Sequence, residues 1–166
     1  MHFPVFRENY SLLNTTLYEI LTDPRLSKLN AIVLLSLKKC GRGIDYTQLE
    51  QGLFNHIVQF AMDRKSRFGA DSCSAFKVLE ALKTNPDYSQ LKQSIESCCA
   101  TRFSSYIDVE CNYFPCSFTP STPGWETGIN VLECEDFIKD VWNNPRTIAF
   151  RNKLIANDCN CPIYKI

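Results

Sequence analysis

Apolar side chains recur at helical spacing through most of the first half of the chain. Leu12, Leu13, Leu17, Ile20 and Leu21 fall on one face, and Pro24 ends the run. Asp23 can cap a second helix with Pro24 at its first position, where a missing N–H does no harm. Leu26, Leu29, Ile32, Val33 and Leu37 then make an apolar stripe, with Lys38 and Lys39 suited to a last turn. Gly41 or Gly43 supplies the stop, so a helix is predicted over 25–40. Asp45 and Gln48 have capping-box spacing ahead of Leu49, Leu53, His56, Ile57 and Phe60, which predicts a third. Another starts at Asp71 or Ser72 and closes at Asn85-Pro86, and a fifth follows Asp87 through Leu91, Ile95, Cys98 and Cys99.

The period then changes to two. Ile107, Val109, Cys111 and Tyr113 alternate with Asp108, Glu110 and Asn112, which predicts a short extended or β segment near 105–113. A proline-rich loop over 114–127 follows. Asn130 and Glu133 then have capping spacing ahead of Cys134, Ile138, Val141 and Trp142, and Asn144-Pro145 opens a last helix to Ala156. The expectation is a mainly α protein of about seven helices. It forms one helical domain over 1–166, with a sub-boundary available in the 114–127 loop.

Charge narrows the function classes. Eighteen basic and eighteen acidic residues cancel, which argues against a chain whose main task is coating nucleic acid or an anionic membrane. The longest near-apolar run, from Ala31 to Leu35, is far short of the roughly 18–20 residues of a membrane span. The opening "MHFPVFRENY" has no apolar core of a signal segment, so a cytoplasmic location is expected. Reduced thiols are then the expectation for the nine cysteines, an odd number that cannot pair completely.

Cysteine spacing offers one metal site. Cys111 and Cys116 are close in sequence, as are Cys159 and Cys161, and two such pairs can supply the edges of a thiolate tetrahedron for zinc. Cys98-Cys99 provides competing thiols. Buried apolar filler is the plainer role for such residues, and no cofactor is otherwise expected. No Gly-x-Ser-x-Gly elbow, phosphate loop or dinucleotide fingerprint occurs, so a non-enzymatic protein is expected. His56 on an apolar helix face reads as a core residue.

The expected function is therefore binding of another protein by a small adaptor, inhibitor or regulator, a profile that fits an accessory protein of a virus or other pathogen. Phe114, Phe118 and Trp125 in the loop and Ile163 and Tyr164 in the tail are its candidate anchors. Leu132-Glu133-Cys134-Glu135-Asp136 resembles the L-x-C-x-E motif by which viral proteins bind retinoblastoma-type pocket proteins. Asp136 replaces the motif's Glu, and the capping spacing predicts a helix where that motif binds extended.

Nucleic-acid binding is the alternative. The helices predicted over 25–40 and 45–60 have the joint of a helix-turn-helix, offering Tyr46, Gln48, Gln51 and Asn55 to bases, with the basic residues Arg64, Lys65 and Arg67 beyond, followed by Lys77 and Lys83. A thiol-dependent enzyme is the second alternative.

Overall fold

The computed structural model describes residues 1–64, 67–158 and 160–164. The chain divides into two compact units, residues 1–97 and 98–165. The loop over 114–127 lies wholly inside the second.

The first unit alternates strand and helix: β1 His2–Val5, α1 Tyr10–Thr22, β2 Ile32–Ser36, α2 Gln51–Asp63, β3 Phe68–Ala70, α3 Ala75–Leu82 and α4 Tyr88–Gln93. The strands pair in parallel in the order β1-β2-β3, with His2 opposite Val33, Val5 opposite Ser36 and Ile32 opposite Phe68. Strands that neighbour in space in the order of the chain are the arrangement of the staves of a (β/α) barrel, whereas a doubly wound sheet reverses its order. Along β2, Ile32, Leu34 and Ser36 are buried while Val33 and Leu35 are half-buried. The core joins Val5, Ile32 and Leu34 to Leu13, Leu17 and Ile20 of α1, Phe54, Ile57 and Val58 of α2, and Val78 and Leu82 of α3.

The second unit is built differently. Its strands β4 Tyr106–Ile107, β5 Asn112–Phe114 and β6 Ile129–Asn130 pair antiparallel in chain order. A wide π-type turn over Phe137–Trp142 leads into α5 Pro145–Ala156. Asn144 caps α5 through the Arg146 N–H with Pro145 at the first position, as its sequence predicts. The core holds Tyr113, Phe114, Trp125 and Phe150 with Cys98, Ala100, Val141 and Leu154. Trp125 lies 6.3 Å from the rings of Tyr113 and Phe114 and 6.4 Å from Phe150, edge-on to the last. Gly128 is required here: a Cβ would come within 2.6 Å of the Asn112 Cβ.

The fold is thus mixed α/β, which corrects the mainly helical expectation. The helix predicted over 25–40 is a short 3-10 turn, Pro24–Leu26, followed by β2. The run Ile32-Val33-Leu34-Leu35 satisfies a helical stripe and a buried parallel strand equally. Two parallel neighbours and the β-branched residues decide for the strand. With it goes the helix-turn-helix. Asp45 and Gln48 cap nothing, because Gly41–Asp45 is itself a 3-10 turn and α2 begins only at Gln51.

The alternation over 105–113 is not one strand either. Asp108 accepts hydrogen bonds from the N–H groups of Glu110 and Asn112 at 2.9 and 2.8 Å, turning the chain so that β4 and β5 form a hairpin. Val109 is consequently exposed. The helix expected after Asn130 is a 3-10 turn, Val131–Glu133, and Asp136 caps the π-type turn instead.

Candidate functional site

Seven of the nine cysteines, Cys98, Cys99, Cys111, Cys116, Cys134, Cys159 and Cys161, belong to the second unit. None of the eight described cysteines in the chain forms a disulfide. Two of those in the second unit, Cys98 and Cys116, share its core: Cys98 is part of it, and Cys116 packs against it. Cys116 is set by a turn in which its N–H donates to Thr119 Oγ1 at 3.2 Å and that hydroxyl donates to the Cys116 carbonyl at 2.6 Å.

Cys161 is brought in by the segment after α5. Pro162 cannot continue a helix, and Ile163 packs on the core. The Tyr164 hydroxyl donates to the Phe118 carbonyl at 2.9 Å, two residues beyond Cys116. The Tyr164 N–H in turn donates to the Cys161 sulfur at 3.3 Å.

Burial pushes the Cys98 thiol up to about 11, and negative charge on Cys161, Cys116 and Cys99 pushes in the same direction, against a backbone hydrogen bond with Ala100. A cation among these sulfurs would reverse that field. Among the described residues, no three His, Cys, Asp or Glu side chains already stand in a metal-holding arrangement. Cys159, the remaining sequence candidate, lies outside the described residues.

The other predicted ligand, Cys111, sits in the β4–β5 turn with a left-handed backbone, φ +63°, and receives the Val131 N–H on its carbonyl. Cys134 donates its thiol to the Asn130 carbonyl at 3.2 Å. Cys98 is the thiol that spacing alone passed over. Its only signal was the Cys98-Cys99 doublet.

The proposed partner anchors are placed as follows. Phe114 and Trp125 are buried in the second core, and Phe118, Ile163 and Tyr164 are half-buried. Of the basic residues, Arg64 lies 3.5 Å over the Phe60 ring, Arg67 is exposed, and Lys65 is outside the described residues. Gln48 donates to the Leu37 carbonyl, and Gln51 donates to Asn55 and to the Lys77 carbonyl, so both amides serve the fold. His56 is exposed on α2, not in the core.

A second polar cluster lies in the first unit, at the carboxyl ends of the parallel strands. Lys38, just after β2, donates to Asp71, just after β3, at 2.9 Å, and its side chain is only 9% exposed. Burial alone would pull the Lys38 ammonium down, but the Asp71 hydrogen bond and the charges of Cys73 and Asp71 outweigh it and the net direction is up. Ser74 donates to Asp71 and accepts the Ser36 N–H at 2.7 Å, tying the end of β2 to the turn after β3. Beyond β1, Glu8 accepts the Thr47 N–H at 3.1 Å and Arg7 pairs with Glu50.

Comparison with known protein families, with curated proteins and with solved structures gave no match. No helix among the described residues is long and apolar enough to cross a membrane.

Proposed function

We propose that the second unit is a thiolate metal centre, holding zinc or an iron–sulfur cluster with ligands drawn from Cys98, Cys116 and Cys161. The observation that carries this reading is that Cys98 and Cys116 share one small core and that Cys161, distant in sequence, lies near enough for its charge to act on Cys98. Thiolate ligands select zinc or iron–sulfur chemistry over hard cations. Metal binding would complete a geometry that the chain only approaches without it, since ligand closure and folding are coupled in small metal sites.

Anaerobic purification with metal and sulfide analysis tests this. Stoichiometric zinc, or iron with sulfide and a visible charge-transfer absorbance, is the expected result. Cys98→Ser, Cys116→Ser and Cys161→Ser should each lose it, while Cys111→Ser and Cys134→Ser keep it. Protein that takes up neither zinc nor an iron–sulfur cluster on reconstitution removes the proposal.

A second reading rests on its own observation, the Lys38–Asp71–Ser74 cluster at the carboxyl ends of β2 and β3. Parallel sheets place small-molecule sites at that edge. We read the first unit as a small-molecule-binding half. A thermal-shift panel of nucleotides, amino acids and organic acids checks it: at least one compound should stabilise the wild type but not Lys38→Met. An unresponsive wild type rejects the reading.

A further inference from the structure

A cleft of about 410 Å³ opens in the second unit between the loop at 123–125, α5 and the chain at 162–163. Its volume is that of an ordinary small-molecule site. The apolar part of its wall includes Trp125, Phe150, Pro162 and Ile163, and its charged part is Arg146 and Lys153. Among the described residues no carboxylate lines it. Two cations on an apolar wall with no acid between them define a site for negative charge attached to an apolar body.

Arg146 is held in place for that role. One terminal nitrogen donates to the Gly124 and Thr127 carbonyls at 2.8 and 2.7 Å, and the guanidinium lies 4.5 Å from the centre of the Trp125 ring. Its orientation is therefore set before any ligand arrives, and N–H groups on the other two nitrogens remain as donors. Arg146 also stands in the first turn of α5, where the helix adds partial positive charge. Glu126 of the loop accepts the Gly124 N–H at 3.0 Å and lies outside the cleft wall. Its carboxyl is held below the ordinary pKa by backbone hydrogen bonds at Glu126 and Gly124 and, less, by the charge of Arg146.

We propose that this cleft binds a small organic anion with a flat apolar body, of which an aromatic carboxylate is the simplest case. The carboxylate meets Arg146 and Lys153, and the ring lies against the apolar wall. This inference does not depend on a metal at Cys98, Cys116 and Cys161.

Titration calorimetry on the full chain with benzoate tests it, beside benzyl alcohol, which has the ring without the charge, and acetate, which has the charge without the ring. Benzoate should bind saturably and more tightly than either. Lys153→Glu, a change at an exposed position, should weaken benzoate about ten-fold, with only the small loss of thermal midpoint that an acid in the last turn of α5 brings. Arg146→Lys should weaken it as well, because a point charge cannot reproduce the fixed fork. Absence of saturable benzoate binding, equal affinity for benzyl alcohol or acetate, or a Lys153→Glu variant that binds like wild type would each overturn the proposal.

Discussion

The two units reach stability by different routes. The first buries twelve core residues, aliphatic except for Phe54, between a parallel ladder and its helices. The second buries eight, four of them aromatic, beneath strands of two or three residues. Beyond its short ladders, it is tied by side chains to distant backbone: Arg151 donates to the Thr101 and Trp142 carbonyls, and Tyr164 to Phe118. Regular structure carries the first unit, whereas the second depends on a few large rings and on what holds its ends together. A unit of the latter kind gains most from a metal clip.

Both tryptophans, Trp125 and Trp142, belong to the second unit, so their fluorescence reports on it alone. That separates the two halves experimentally. The largest expected effect is loss of a core ring. Tyr113→Ala should destabilise the tryptophan-reported transition by about 4 kcal/mol. Phe54→Ala should remove a similar amount from the helical circular-dichroism transition and leave the tryptophan midpoint where it was. Equal shifts in both probes for either variant would show that the units melt as one.

Next comes the pair at the sheet edge. Asp71→Asn removes the carboxylate paired with the buried Lys38 ammonium, and should cost the first unit about 3 kcal/mol in denaturant titrations. A double variant, Lys38→Met with Asp71→Asn, should recover much of that loss.

A pH effect of comparable size distinguishes the second unit. The Cys98 thiol ionises in the folded chain only at about 11, against an ordinary 9.0. The folded state then holds a proton that the unfolded state has released, so the contribution is full below 9.0 and falls as pH rises through 11. The metal-free second unit should lose about 3 kcal/mol over that window, and Cys98→Ala should abolish the loss. Metal-loaded protein should lose stability on the acid side, where protons compete for the thiolates. Smallest of all, Arg7→Ala should change stability by less than about 0.5 kcal/mol by chemical denaturation, because the pair with Glu50 is exposed.

Local signals were legible where one residue determines the geometry. Asn144-Pro145 marked the start of α5, and the apolar face of Leu13, Leu17 and Ile20 marked α1. The Ile32–Leu35 run was ambiguous because a strand covered on both faces has no alternation to show, and only its parallel neighbours decide it. The 105–113 segment misled for the opposite reason. Its alternation is real, but the Asp108 side chain folds the chain back in the middle. Cys116 and Cys161 stood out by spacing, while the place of Cys98 in the same core as Cys116 is a tertiary fact that no local pattern encodes. The pairing of Lys38 with Asp71 was equally hidden, since it exists only once two successive strands lie side by side.

That sheet order has a kinetic consequence. In the first unit β1 pairs with β2 and β2 with β3, each pair separated in the chain by one intervening α-helix. Every closure needed to assemble the first unit therefore spans one strand–helix step, and each completed ladder is the template for the next. The proposed thiol centre would require the segment near Cys161 to reach Cys98 and Cys116 across most of the second unit. Since chain closure must precede the contacts that reward it, the parallel sheet should form ahead of the sulfur cluster.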